Sequence, residues 1–176
     1  MMGGPKTKVV LDADVIIHFA KGGRLAMLPK ILPEFKFLVL DVVKREIPML
    51  LLAELNRIIE RDKSIQEEAF GKTAGEIKEF ARLTASNGMA LGKGESACMV
   101  YCRYHHDVVG SSNIKDITNY CQQFGITYLT TNDLLYYAIQ RGLLSKQEAA
   151  DFIADVRKKG SYPPVVDFET YVCTKI

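Results

Sequence analysis

The stretch KVVLDADVII, residues 8–17, predicts the first strand of the fold and places two acidic residues where that strand ends. Residues 9–11 form a short apolar, β-branched run, which is typical of a buried strand. Asp12 follows it, and Asp14 opens a helix that we predict over residues 13–20. An unpaired buried carboxylate is so costly that such groups are normally paired or bound to metal. Capping the helix needs one acid, for which Asp14 is the better candidate, so Asp12 is expected to have a functional role.

Short apolar runs alternate with helical patterns along the rest of the chain. Further strands are predicted at residues 37–40, 108–109 and 126–129, and helices at 42–60, 64–84, 94–105, 113–124, 132–141 and 145–159. A kink is expected at Pro48 and a helix end at Gly125. Strands that alternate with helices predict βαβ units and a parallel sheet. We therefore expect an α/β fold, a three-layer α/β/α sandwich with a mainly parallel central sheet.

The composition is that of a soluble globular domain. The chain has 176 residues, of which 48% are hydrophobic and 25% charged, enough for a substantial core. The net charge of +2 is too small to indicate nucleic-acid binding by itself. No apolar run approaches the roughly 20 residues that span a bilayer, and the N-terminus lacks the apolar segment of a signal peptide. With four scattered cysteines, these features predict a reduced, cytoplasmic protein with no membrane partner.

At least three of four acids follow predicted strands or open predicted helices: Asp12, Glu46, Glu95 and Asp116. Glu46 lies at the edge of the apolar face of the helix predicted over residues 42–60. In a parallel sheet of this kind, ligands bind beyond the carboxyl ends of the strands. A cluster of carboxylates there would repel itself unless a cation lay among them. Oxygen ligands select Mg²⁺ or Mn²⁺ rather than zinc, and such ions usually act on phosphates. The pattern thus points to metal-dependent phosphate chemistry.

Each of these acids also has an ordinary interpretation. Glu46 could pair with Lys44 or Arg45 on the protein surface. Glu95 falls in a first helical turn, where the helix dipole favours an acid. Asp116 lies three residues after Asn113, the spacing of a capping pair.

A zinc site is suggested by four neighbouring residues, Cys98, Cys102, His105 and His106. The two cysteines lie one helical turn apart on an apolar face, and free cysteine is often a small core residue. We therefore expect the cysteines to belong to the core.

The order of the acidic segments resembles the PIN domain, a family of metal-dependent ribonucleases. KVVLDADVII resembles the family's opening strand with its first acid, and LDVVKREI, residues 40–47, the segment with the second. GKGESACMVYCRYH, residues 92–105, is similar to the helix with the third acid, and VVGSSNIKDI, residues 108–117, to the element with the fourth. The resemblance spans roughly residues 7–160. It departs from the family at Asp14, where a small polar residue is usual.

The resemblance implies a catalytic set and a cofactor. The catalytic residues carried over are Asp12, Glu46, Glu95 and Asp116. Mg²⁺ or Mn²⁺ would be held by Asp12, Glu95 and Asp116, while Asn113 and Ser111 would position the substrate or the loop of Asp116. The implied reaction is hydrolysis of an RNA phosphodiester that leaves a 5′-phosphate and a 3′-hydroxyl.

The resemblance also implies the domain organisation and the partners. We expect a single PIN-like domain over residues 1–176, with a helical insertion at about residues 60–90 and a C-terminal extension after about residue 160. Bacterial members of the family are often toxins held in check by an antitoxin protein, and many form homodimers. RNA is the expected substrate.

Two alternatives remain open from the sequence. DADV, residues 12–15, is similar to the D-x-D signature of haloacid-dehalogenase-like phosphatases, in which Asp12 would be the nucleophile and Asp14 the acid/base. Ser111, however, stands where that family needs a metal-binding acid. The second alternative is a PIN-like module that binds RNA or a protein without cleaving it.

Overall fold

A central sheet of five parallel strands organises the computed structural model, which describes residues 6–85 and 91–176. The strands are β1 (Lys8–Leu11), β2 (Lys36–Leu40), β3 (Ile65–Glu68), β4 (Val108–Gly110) and β5 (Tyr128–Leu129). Their order across the sheet is β3-β2-β1-β4-β5, and every adjacent pair is parallel. The predicted α/β fold with a parallel sheet is confirmed.

Helices cover the sheet as two groups. They are α1 (Ala13–Lys21), α2 (Leu28–Ile31), α3 (Asp41–Lys44), α4 (Met49–Arg57), α5 (Ala74–Thr84), α6 (Lys93–His105), α7 (Ile114–Phe124), α8 (Thr131–Gln140) and α9 (Lys146–Lys158). Helix α1 packs against α4 and α9, and α8 packs against α2 and α9. Helix α6 contacts α3, α5 and α7 in the other group. The apolar strand residues lie between these two helical layers, as a three-layer sandwich requires.

Two of the predicted helices are wrong in part. The segment predicted as one helix over residues 42–60 is divided into α3 and α4, because Pro48 lacks the amide proton that a continuous helix would need there. The segment 64–84 begins with strand β3, and α5 starts only at Ala74 after a capping box formed by Thr73 and Glu76. The expected helical insertion at about 60–90 thus contains the edge strand of the sheet, and residues 86–90 lie outside the described residues, as do residues 1–5.

The strand order creates a crevice at the middle of the sheet. The chain proceeds from β1 outward to β2 and β3, and then returns across the sheet to β4 beside β1. The connections that leave β1 and β4 therefore diverge to opposite faces, and ligands bind at such switch points in parallel α/β sheets. Asp12 follows β1 and Ser111 follows β4, with the amide of Asp12 donating to the carbonyl of Gly110 at 2.8 Å.

Within the described ranges, no helix is long and apolar enough to cross a membrane.

Candidate active site

A cavity of about 620 Å³ lies at this switch point, and carboxylates line it. The acids on its wall are Asp12, Asp14, Glu46, Glu95 and Asp116. The structure thus brings together all four acids singled out from the sequence and adds a fifth. None of the described residues on this wall is a lysine or an arginine. The cavity is therefore strongly acidic when its carboxylates are ionised.

Asp12 is the N-cap residue of α1, a position that the sequence assigned to Asp14. One carboxylate oxygen of Asp12 accepts the amide hydrogen of Ala13 at 2.8 Å, and the other accepts the hydroxyl hydrogen of Ser111 at 3.2 Å. Only 5% of the Asp12 surface is exposed. Burial, and then the charge of Asp14, raise the pKa of Asp12 well above its ordinary value. The expectation that Asp14 is the cap is wrong, because the strand ends one residue before Asp12 and the helix begins at Ala13.

Asp14 lies in the first turn of α1 and reaches the loop after β4. Its carboxylate accepts the amide hydrogen of Ser112 at 2.9 Å and that of Val15 at 2.7 Å. Burial raises its pKa, although these amide hydrogen bonds partly offset the effect. Asp14 therefore ties the end of β4 to the start of α1 and contributes a further carboxylate to the cavity.

Asn113 connects Glu95 to Asp116. The side-chain amide of Asn113 donates to Glu95 Oε2 at 2.8 Å and to Asp116 Oδ2 at 2.9 Å. Glu95 is 6% exposed, and its other oxygen accepts the amide hydrogen of Gly92 at 3.0 Å at the start of α6. Burial, and then the charge of Asp116, raise the pKa of Glu95 against these hydrogen bonds. One amide group thus lies between two carboxylates, where it offsets part of their repulsion.

Glu46 reaches the cavity from the loop after α3. Its Oε1 atom accepts the amide hydrogen of Gly94 at 2.9 Å. A Cβ atom on residue 94 would lie 2.4 Å from Glu46 Oε2, so glycine is needed for this approach. Pairing of Glu46 with its neighbours is not seen, since Lys44 and Arg45 make ion pairs with other acids.

Ser111 is completely buried and lies behind the cavity wall. Its hydroxyl donates to Asp12 and accepts the amide hydrogen of Asn113 at 3.2 Å. It therefore holds Asp12 and the loop that carries Asp116 in a fixed relation. Asn113, in contrast, is exposed and lines the cavity.

The donor set fits a hard divalent cation, but the side chains are not arranged as a finished coordination sphere. Within residues 6–85 and 91–176, no group of three or more His, Cys, Asp or Glu side chains is placed to hold a metal ion. The Asn113 amide donates to one oxygen atom each of Glu95 and Asp116 at this wall. The carboxylate oxygens on the wall are the ligands that Mg²⁺ and Mn²⁺ prefer. Asp116 keeps its second oxygen free of this amide, so the Asn113 hydrogen bonds do not prevent a cation from binding there.

The cysteines and histidines that suggested a zinc site are not placed to hold a metal ion in the described part of the chain. Cys98 and Cys102 are buried in the core, and burial raises the pKa of both thiols well above the ordinary value. His105 instead makes a 2.8 Å contact with Glu76. The cysteines are therefore core residues, as expected.

Two parts of the cavity wall were not foreseen from the sequence. His18 on α1 lines the cavity and lies one turn after Asp14, so the i,i+4 spacing was the signal that could have revealed it. The C-terminal segment contributes Tyr162, Pro163 and Pro164. Asn132 donates to the carbonyl of Pro164 at 2.9 Å, which holds this segment on α8. No local sequence pattern predicts this part of the wall, because it forms only when the C-terminal segment folds back onto the cavity.

No protein-family model matches the chain, and no curated protein matches its sequence. Among solved structures, it is similar to a PilT N-terminus (PIN) domain protein from the hyperthermophilic archaeon Sulfolobus solfataricus P2. The TM-score is 0.46 and the identity 12%, over 76% of this chain and 94% of that chain. The five-stranded parallel sheet between two helical layers is the three-layer α/β architecture that the sequence predicts.

Proposed function

We propose that this protein is a Mg²⁺- or Mn²⁺-dependent ribonuclease that hydrolyses RNA phosphodiester bonds. The observation that supports the proposal is the convergence of five carboxylates on one cavity at the switch point of the sheet. An anionic substrate would be repelled by such a wall, on which none of the described residues is a lysine or arginine. A divalent cation removes this repulsion and supplies the attraction that a phosphate needs.

In this proposal, Asp12, Glu95 and Asp116 hold the cation, and Glu46 completes the set directly or through water. When bound, the cation would polarise the phosphate and lower the pKa of an attacking water. Ser111 keeps the carboxylate of Asp12 oriented through its 3.2 Å hydrogen bond. Asn113 lines the cavity beside Glu95 and Asp116, where it would position the RNA.

The raised pKa values of the acids in the cavity predict how metal binding depends on pH. Burial raises the pKa of Asp12, Asp14 and Glu95, and the charges of neighbouring carboxylates add to the rise at Asp12 and Glu95. These groups therefore gain the most when a cation replaces protons among them. Metal binding should therefore release protons and strengthen as the pH rises. The proposed products are a 5′-phosphate and a 3′-hydroxyl.

The proposal extends to the partners implied by the sequence resemblance. We place the protein in the cytoplasm, as a toxin that forms a homodimer and is restrained by an antitoxin. Growth arrest on induced expression, relieved by Asp12→Asn, would support the toxin role. Light scattering on the purified chain would report the homodimer.

The test combines metal binding with cleavage. Mn²⁺ is titrated by calorimetry into the wild type, Asp12→Asn and the matched control Asp155→Asn, which changes an exposed aspartate on α9. Each protein is then incubated with mixed single-stranded RNA, with the metal or with EDTA. We expect saturable binding and metal-dependent cleavage by the wild type and the control, and neither by Asp12→Asn.

Other outcomes would select the alternatives. Hydrolysis of an aryl phosphate without RNA cleavage would identify a phosphatase with Asp12 as the nucleophile. Metal-independent RNA binding without product would identify a binding module. Absence of metal binding by the wild type would reject the proposed cation site.

A further inference from the structure

His18 is held in place by a chain of hydroxyl groups at the carboxyl ends of β4 and β5. The amide of Thr131 donates to Ser112 Oγ at 2.8 Å, and the Ser112 hydroxyl donates to Thr131 Oγ1, also at 2.8 Å. Thr131 Oγ1 lies 2.7 Å from Nδ1 of His18. Thr131 is fully buried and His18 is 7% exposed. The ring therefore has a fixed orientation in the wall of the acidic cavity.

We assign Thr131 as the donor in its hydrogen bond with the ring of His18. With Ser112 as the donor to Thr131 Oγ1, the hydroxyl hydrogen of Thr131 is available for Nδ1 of His18. Nδ1 is then an acceptor, and the ring carries its proton on Nε2. Burial, and then the charge of Lys21, lower the pKa of His18 to about 4, so the ring stays neutral at ordinary pH.

The ring of His18 lines the cavity, and Nε2 is the ring nitrogen that does not contact Thr131. No hydrogen bond to it is made by any group in the described part of the chain, where His18 bonds through Nδ1. His18 and Asn113 supply the side-chain nitrogen atoms on the described wall, and the Asn113 amide is already bonded to acids.

We infer that the Nε2–H group of His18 is a substrate-binding donor that holds a non-bridging oxygen of the RNA phosphate in the acidic cavity. The inference rests on the proposed function for its substrate class. A neutral donor suits this place, because an imidazolium ion would pair with the neighbouring carboxylates and repel the cation. His18 would thus add a directed hydrogen bond to the phosphate without competing for the acids.

The first part of the experiment measures the tautomer and needs no activity. Long-range ¹H–¹⁵N NMR spectra are recorded for the wild type and for His18→Gln, which assigns the His18 signals. A protonated Nε2 and an unprotonated Nδ1 are expected between pH 6 and 8. Titration with inorganic phosphate in the presence of Mg²⁺ should shift the Nε2–H signal. A ring protonated on Nδ1, or an Nε2–H signal that phosphate does not move, would overturn the inference.

The second part measures cleavage and metal binding in His18→Leu and His18→Gln. Loss of one hydrogen bond to a charged group should lower kcat/KM roughly 10- to 100-fold in His18→Leu. Glutamine can still donate an N–H, so His18→Gln should recover most of the loss. Mn²⁺ affinity should be unchanged in both variants, since His18 is not among the proposed ligands.

Controls separate the inference from the proposed function. Thermal melts of both variants verify that they fold, and Asp155→Asn serves as the matched surface change. Full kcat/KM in His18→Leu, with a folded protein and normal metal binding, would contradict the role of His18. Absence of cleavage by the wild type would reject the ribonuclease proposal, while the NMR response to phosphate would still decide the role of His18.

Discussion

Replacing Asp12 with asparagine should change how the stability of the metal-free protein depends on pH. The carboxyl group of Asp12 is buried beside Asp14, and burial and this neighbouring charge raise its pKa from 3.8 to about 8. Because the folded-state pKa is above the unfolded one, the folded protein binds the proton more tightly. This contribution to stability is complete below the unfolded pKa and is lost as the pH rises through the folded pKa.

The magnitude follows from proton linkage. Where the folded protein holds one more proton than the unfolded chain, each pH unit changes the free energy of unfolding by about 1.4 kcal/mol. Raising the pH from about 5 to about 7 should therefore cost the metal-free wild type roughly 3 kcal/mol through the Asp12–Asp14 pair. Asparagine cannot ionise, so Asp12→Asn should lose most of this slope and become the more stable protein near neutral pH.

The dependence of the free energy of unfolding on pH is measured by urea or thermal unfolding in EDTA, followed by circular dichroism across this pH range. For a chain of this size, the expected difference corresponds to a shift in Tm of about 5–10 °C. Asp155→Asn, on the exposed side of α9, should keep the wild-type slope. Mn²⁺ should flatten the slope of the wild type and leave Asp12→Asn unchanged. Parallel slopes for the wild type and Asp12→Asn would refute the reasoning that burial and repulsion govern this carboxyl group.

Two further predictions concern the supports of the cavity. Gly94→Ala should displace the Glu46 carboxylate, whose Oε2 atom would lie 2.4 Å from the new Cβ. The variant should have a lower kcat/KM but nearly the same Tm, because Glu46 is exposed. Kinetics and thermal melts on one preparation check this, and unchanged kinetics would contradict it. Lys175→Met removes the 2.7 Å ion pair with the buried Asp133 and should lower the free energy of unfolding by roughly 1–2 kcal/mol, as measured by urea unfolding. Proteolysis of the C-terminal segment should become faster. Unchanged proteolysis would show that Tyr171, at 2.6 Å from Asp133, anchors the segment by itself.

Most of the sheet could be predicted from local sequence because its central strands are continuous apolar runs. β1, β2 and β4 are buried on both faces, so their residues read as uninterrupted hydrophobic segments. β3 was missed because it is an edge strand with the sequence IQEE, of which Ile65 is fully buried while Gln66 and Glu67 are exposed. Such a strand has helix-like composition, and only its pairing with β2 defines it.

Asp12, Glu95 and Asp116 could be identified from the sequence because each follows a strand or opens a helix, and parallel strands bring those positions to one edge. Glu46 lies after α3 and was carried over from the family resemblance. The helix cap was assigned to Asp14 although Asp12 forms it, since capping depends on the residue at which β1 ends and α1 begins. The sequence could not show that one Asn113 amide lies between Glu95 and Asp116, because that contact joins the starts of two different helices.

The sequence by itself determined the alternation of strands and helices and the acids at their junctions, because both follow from local periodicity and spacing. Tertiary structure decided the rest of the cavity. His18 is oriented by Thr131, 113 residues away in the chain, and Pro164 reaches the wall because Asn132 holds its carbonyl. These contacts depend on how helices from distant parts of the chain pack on the sheet, and no local pattern encodes that packing.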